Sequence, residues 1–126
     1  MAAYYHDSSS LIKHYHVEIG TLVVDKILAE PNAIHFLSQL SGVEVPSAFA
    51  KKVRTQEITT ADFQHLHQKF LADMTNRQYR IVRLLVRYLQ SAEQLIQKYG
   101  LTRSIRTLDA IQLAVAIDVE SRHGID

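Results

Sequence analysis

Short apolar runs alternate with longer segments in which apolar residues recur at helical spacing. The run at 2–6 predicts a strand that ends at Asp7, and the serines at 8–10 followed by helix-spaced apolar residues predict a helix. Apolar runs at 33–37 and 79–84 predict two further strands. Each predicted strand is therefore followed by a helical segment.

The remaining apolar residues predict five more helices. Ser41 and Glu44 have the spacing of a capping box, and Thr59 is a predicted N-cap before the clearest amphipathic pattern. The last helix is strongly apolar, which predicts burial on most of its sides. These helices are predicted at 22–28, from 41, at 59–74, at 85–99 and from 107.

Strands that alternate with helices predict an α/β fold with a largely parallel sheet. Ligands of such sheets collect beyond the carboxyl ends of the strands, at helix N-termini. Asp7 follows the first predicted strand, and Glu44 and Asp109 each lie in the first turn of a predicted helix. Three acids from separate segments thus share similar local positions.

Composition limits the class of protein. The 126 residues, 47% of them hydrophobic, predict one compact domain over 1–126. The sequence has no apolar run of about 18 residues and no basic start of a signal peptide, which predicts a soluble protein without membrane contact. The absence of cysteine excludes disulfides and fits a cytoplasmic location. A formal charge of +1 requires any RNA binding to use a local basic patch.

Three carboxylates can hold one or two hard cations such as Mg²⁺ or Mn²⁺, which prefer oxygen ligands. Such ions activate water and stabilise the charge that develops on a phosphodiester during hydrolysis. Each acid also has a structural interpretation, since Asp7 can cap the first helix, Glu44 can complete a capping box and Asp109 favours the helix dipole. Only their joint placement favours a metal site.

Three segments of the sequence resemble the motifs of the PIN-domain ribonucleases, in the same order. Residues 4–13 resemble the opening strand that ends in Asp, residues 38–48 resemble the segment with the second acid, and residues 106–114 resemble the third motif. The resemblance extends over the entire chain and implies a PIN-like three-layer fold. Short PIN domains of this kind resemble VapC toxins of toxin–antitoxin pairs.

The resemblance implies a Mg²⁺- or Mn²⁺-dependent endoribonuclease. Asp7, Glu44 and Asp109 would be catalytic residues that ligate metal, and Ser9 would orient Asp7 or a bound water. It also implies an RNA substrate, a cognate antitoxin whose tail enters the site, and a homodimer.

The sequence departs from the PIN pattern after its third motif. A strand and a further acid are expected there, and Asp126 comes too early to supply that acid. We therefore expect the last strand or strands to be missing, which leaves the first strand as an apolar edge. A partner, a second copy or a displaced segment is expected to cover this edge. Loss of a fourth acid also makes a catalytically impaired module that binds an antitoxin or RNA the alternative function.

Several basic residues are candidates for RNA contacts. Lys51 and Lys52 follow Glu44 on its helix, and Arg106 precedes Asp109 by three residues. A solvated helix face is the plain alternative for the lysines. The histidine pairs 14/16 and 65/67 have i, i+2 spacing, which puts them on different faces of a helix and favours structural or surface roles.

Two other enzyme classes that use an early Asp fit the sequence poorly. Phosphatases of the haloacid-dehalogenase type need a second Asp two residues after the first, where this chain has Ser9. A receiver domain needs an early acidic pair and a late Lys, and no Lys follows Lys98.

Overall fold

The computed structural model describes residues 2–17 and 20–124. Strands and helices alternate as the apolar pattern predicts, and most predicted boundaries agree to within a few residues. Asp126 lies outside the described residues. The elements are β1 (Ala3–His6), α1 (Ser8–Tyr15), α2 (Thr21–Leu28), β2 (Ile34–Ser38), α3 (Ser41–Arg54), α4 (Thr60–Thr75), β3 (Arg80–Val82), α5 (Val86–Tyr99) and α6 (Thr107–His123).

The strands form a parallel sheet in the order β1-β2-β3. Tyr5 pairs with Phe36 in the register of β1 and β2, and Leu37 pairs with Ile81 in that of β2 and β3. The predicted α/β fold with a parallel sheet is confirmed. Among the described residues β1 is an edge strand, as expected, and the covering of this edge by another segment or chain stays a prediction.

Helices cover both faces of the sheet because successive side chains of a strand point to opposite faces. Leu37 of β2 packs in a cluster with Leu11 of α1 and Phe49 of α3. Its neighbour Phe36 packs in a second cluster with Tyr88 of α5 and Val115 of α6. The sheet is thus the middle of three layers.

Two sequence predictions about helix starts have different outcomes. Thr59 caps α4 as predicted, and its side chain and that of Asp62 form a reciprocal capping box. The capping box predicted for Ser41 and Glu44 is wrong, because Leu40 is the N-cap residue of α3 and makes no side-chain cap bond. The Ser41 hydroxyl instead lies against Ser8 of α1.

Two further expectations need correction. The third strand is shorter than 79–84 and covers only Arg80–Val82. The last helix is not buried on most sides, since Leu108, Leu113 and Ile117 are 47%, 44% and 48% exposed. Helix α6 packs on α5 and β1, so its apolar residues on the other side remain at the surface.

Within 2–17 and 20–124, no helix combines the length and the apolar character that a membrane span requires.

Two buried histidines link the ends of β1 and β2. His6 and His35 are 4% and 6% exposed, and His6 Nε2 lies 3.0 Å from His35 Nδ1. Burial, and second the neighbouring His35, lower the pKa of His6 to about 4. Burial also lowers the pKa of His35. Protonation of this pair therefore opposes folding.

We predict that acidification destabilises the fold through His6. Its folded-state pKa is depressed below the unfolded value of about 6.5, so stability is present above that pH and is lost as pH falls toward about 4. Between about pH 7 and 5.5 the free energy of unfolding should fall by roughly 1 kcal/mol through this group. Denaturant unfolding at both pH values measures this change. His6→Gln should reduce this loss of unfolding free energy, whereas the control His65→Gln, at an exposed position, should not. Equal losses in wild type and in His6→Gln would contradict the assignment to His6.

Candidate functional site

Asp7 lies at the carboxyl end of β1 and caps helix α1. Its Oδ1 accepts hydrogen bonds from the Ser10 backbone N–H and from Ser9 Oγ, both at 2.9 Å. The capping interpretation and the expected contact with Ser9 are therefore both present in the structure. Among the hydrogen bonds of the described residues, Oδ2 of Asp7 takes none, so this exposed oxygen is available to a ligand.

Glu44 is held by two buried donors from other helices. Ser8 Oγ of α1 donates to Glu44 Oε1 at 2.8 Å, and Gln112 Nε2 of α6 donates to the same oxygen at 2.6 Å. Ser8 and Gln112 are 9% and 8% exposed. Hydrogen bonds to a charged acceptor are stronger than neutral ones, so these donors fix the carboxylate and leave Oε2 for the pocket.

Tyr5 and Ser41 complete a network around Gln112. Tyr5 of β1 donates its hydroxyl hydrogen to Gln112 Oε1. Burial, and after it the charges of Asp7 and Glu44, raise the pKa of Tyr5, so the phenol remains a donor. Ser41 Oγ lies 3.1 Å from Ser8 Oγ and accepts from Gln112 Nε2 at 3.3 Å. We call Tyr5, Ser8, Ser41, Glu44 and Gln112 the Gln112 network.

Asp109 enters the same region from the first turn of α6. It lies three residues before Gln112, so both side chains are on one face of the helix. Asp109 is exposed, whereas Gln112 is buried. The helix therefore presents a carboxylate to solvent next to the amide that holds Glu44.

The three acids open on one pocket with a cavity volume of about 500 Å³. Among the residues that line it there is no lysine, arginine or histidine, so its charge is negative. The structure thus brings together the acids that the sequence predicted, with Ser9 beside them. The lining consists of Tyr5, Asp7, Ser8, Ser9, Ser10, Glu44, Asp109, Gln112, Leu113 and Ala116.

The donor atoms of this pocket fit a hard cation. They are carboxylate and hydroxyl oxygens, which Mg²⁺ and Mn²⁺ prefer over nitrogen or sulfur ligands. In the part of the chain that the structure describes, no three His, Cys, Asp or Glu side chains lie close enough to hold one ion together. Mg²⁺ commonly uses one or two carboxylates and completes its shell with water, and Asp7 Oδ2 and Glu44 Oε2 are suited to that arrangement.

A search of solved structures places the fold. The chain superposes on the crystal structure of VapC20 of Mycobacterium tuberculosis, a toxin that cleaves the sarcin–ricin loop, with a TM-score of 0.68 and 13% identity. The match covers 98% of this chain and 85% of VapC20. The fold is a VapC-like PIN fold. No protein-family profile matches the sequence, and no curated protein sequence matches it.

The residues predicted to contact RNA do not line the acid pocket. Lys51 and Lys52 lie outside the acid pocket and line a neighbouring one. Arg106 is the exposed N-cap residue of α6 and lines neither of these pockets. Among the histidines considered, His14 Nδ1 contacts Asp25 Oδ1 at 2.6 Å.

Sequence reasoning missed the contacts of Tyr5, Ser8 and Gln112 in the network that supports Glu44, and it gave Ser41 a capping role instead. Gln112 is three residues after Asp109 and Ser41 is three residues before Glu44, which are same-face spacings on a helix. Tyr5 precedes Asp7 by two residues, which puts both on the same side of an extended chain. These spacings give candidate positions, but they do not reveal that α1, α3 and α6 converge.

We predict that Gln112→Leu destabilises the fold and removes one of the two donors that hold the Glu44 carboxylate. The variant leaves the Tyr5 hydroxyl without its acceptor and removes a donor from Glu44 in a buried region. The free energy of unfolding should fall by about 1–3 kcal/mol. The matched control is Gln97→Leu, because exposed Gln97 Nε2 also donates to a glutamate, Glu93, at 3.1 Å.

The control should change stability by no more than about 0.5 kcal/mol. Urea unfolding of the three proteins compares them directly. Equal stabilities of the two variants would show that the Gln112 network does not stabilise the site.

Proposed function

We propose that this chain is an endoribonuclease toxin that hydrolyses RNA phosphodiester bonds with the aid of Mg²⁺ or Mn²⁺. The observation that carries the proposal is the set of three carboxylates, from three separate elements of a VapC-like fold, that open on one pocket free of basic residues. Cleavage of the sarcin–ricin loop by VapC20 supports structured RNA as the substrate class of this chain. The proposal includes action in the cytoplasm.

A bound divalent cation would supply a polarised water and neutralise the charge that builds up on the phosphodiester. One or two of Asp7, Glu44 and Asp109 would ligate such a cation directly, and the remaining acid would act through water in its shell. In the hydrolysis, the water oxygen bonds to phosphorus, one ester P–O bond breaks, and a proton ends on the leaving oxygen.

The residues around the acids would keep them in position for this reaction. Ser9 and the Ser10 N–H restrain Asp7 through Oδ1, and the Gln112 network restrains Glu44 through Oε1. Asp7 and Glu44 thereby each keep a second carboxylate oxygen that these donors do not use. Preorganised ligands of this kind cost less reorganisation when the cation and the substrate bind.

A catalytically impaired module that binds RNA or an antitoxin without cleavage is the second candidate. One observation favours it: among residues 2–17 and 20–124, no group of three potential ligands lies close enough to enclose an ion. Under this alternative the pocket binds a cation weakly through one or two carboxylates, and RNA binding does not lead to hydrolysis.

The proposal also includes a cognate antitoxin and a homodimer. The resemblance to VapC toxins supports both, and large apolar side chains at the surface provide area for such contacts. Val86 and Leu89 of α5 are 71% and 47% exposed, and Leu22 of α2 is 84% exposed. Arg106, on the exposed start of α6, remains a proposed RNA contact outside the pocket.

We predict that RNA cleavage needs a divalent cation and each of the three acids. Asp7→Asn, Glu44→Gln and Asp109→Asn keep the shape of the side chain and remove its charge, so each should lower the cleavage rate by about 10–100-fold or more. The assay follows a structured RNA in Mg²⁺ or Mn²⁺, with and without chelator. The same variants should lose the rise in melting temperature that the cation gives to wild type.

Glu120→Gln is the matched control for Asp109→Asn, because Glu120 is an exposed acid on the same helix. It should retain the rate and the thermal shift. Cleavage that survives chelation would reject the cation mechanism. RNA binding without cleavage by wild type would instead establish the impaired module.

A further inference from the structure

A second pocket adjoins the acid pocket at Ser9, which lines both. It lies between α1 and α3 and has a cavity volume of about 270 Å³. Its lining changes from apolar residues near Ser9 to charged residues further along. The lining consists of Ser9, Ile12, Lys13, Ala48, Lys51, Lys52 and Glu57.

Three lysines and one glutamate give this second pocket a positive charge. Lys13 is on α1, whereas Lys51 and Lys52 are in the last turn of α3. The Lys52 ammonium lies 3.9 Å from Glu57 Oε1, a distance at the outer limit of an ion pair. Two lysine charges therefore remain in excess over the glutamate. We call this cavity the lysine pocket.

The two pockets share Ser9, and residues of both α1 and α3 line each of them. On α3, Ala48 comes one helical turn after Glu44, and Lys51 comes almost one turn after Ala48. Seven residues separate Glu44 from Lys51, which is a rise of about 10 Å along the helix. On α1, Ile12 and Lys13 follow Ser9 in the same way. Along α3 the lining thus changes from acidic to basic within two helical turns.

We propose that the lysine pocket binds a phosphate of the RNA strand whose cleavage the acid pocket performs. This inference rests on the proposed function, because it takes the acid pocket as the position of the scissile phosphodiester. The rise of about 10 Å along α3 is short enough for one RNA strand to contact both pockets. The bound phosphate therefore belongs to a nucleotide near the scissile bond, and the strand crosses Ser9 between the two pockets.

The opposite charges of the two pockets give this proposal a distinct consequence. Without a cation, the acids repel a phosphate, so the affinity for RNA comes from the lysine pocket. Binding of RNA in the presence of chelator should then depend on Lys13 and Lys51. The salt dependence of that binding reports how many phosphate contacts are made, since each one releases counterions from the strand.

The experiment measures the affinity of full-length protein for a fluorescent single-stranded RNA in EDTA, over a series of KCl concentrations. The variants are Lys51→Gln and the double variant Lys13→Gln with Lys51→Gln. Loss of one phosphate contact should lower the slope of log affinity against log salt by about 0.7 and weaken binding at every salt concentration. Exposed Lys69→Gln on α4 is the matched control and should keep the wild-type slope.

Cleavage in Mg²⁺ provides a second measurement. The lysine variants should raise KM more than they lower kcat, whereas Asp7→Asn acts on the chemical step. Lysine variants with wild-type slope and KM, beside an inactive Asp7→Asn, would overturn the lysine pocket and leave the proposed nuclease intact. Lysine-dependent RNA binding in a protein that cleaves nothing would support the pocket and contradict the nuclease.

An acidic peptide competitor separates RNA from protein as the occupant. A glutamate oligomer should compete only weakly if the pocket is shaped for a phosphate strand. Stronger binding of this peptide than of RNA, lost in the lysine variants, would overturn the RNA proposal in favour of an acidic protein segment. Unchanged RNA affinity in both lysine variants, with native melting temperatures, would overturn it as well.

Discussion

The hydrogen bond from Gln112 to Glu44 joins the last helix to the third, and the site depends on it. Gln112 is buried and Glu44 is half-buried, so the amide N–H replaces water as a donor to the inner oxygen of the carboxylate. Ser8 adds a donor from α1, and Tyr5 ties the far side of the amide to β1. Four elements of the fold thereby meet at one carboxylate, and their relative positions set the direction of its free oxygen.

The parallel sheet explains why the acids meet at all. Asp7 emerges where β1 ends, and α3 starts just after the carboxyl end of β2, so both reach the same edge of the sheet. Helix α6 brings Asp109 to that edge through its packing on β1 and α5. With α1 and α3 packed side by side, the lysine pocket between them adjoins the acid pocket at Ser9. The packing of α1 on α3 therefore forms part of both the acid pocket and the lysine pocket.

Two corrections to the sequence analysis depend on which elements pack against a helix. Ser41 and Glu44 have the spacing of a capping box. In the structure the Ser41 hydroxyl instead contacts Ser8 of α1, and the Glu44 carboxylate accepts a hydrogen bond from Gln112 of α6. The apolar residues of helix α6 predicted burial on most of its sides, but α6 packs on α5 and β1 with only part of its surface, so Leu113 and Ile117 stay exposed. The spacing of residues in the sequence shows which contacts are possible within a helix. It does not show which residues of other elements pack against that helix.

The sequence by itself determined the alternation of strands and helices, the parallel α/β architecture and the three acids at strand ends and helix starts. These properties follow from local periodicity and from residues a few positions apart. Only the tertiary structure decided that the acids share a pocket, that Gln112, Ser8 and Tyr5 support Glu44, and that Lys13 and Lys51 line one neighbouring pocket. Such contacts join residues far apart in the chain, as in the pair Tyr5 and Gln112, and depend on how the helices pack across the sheet.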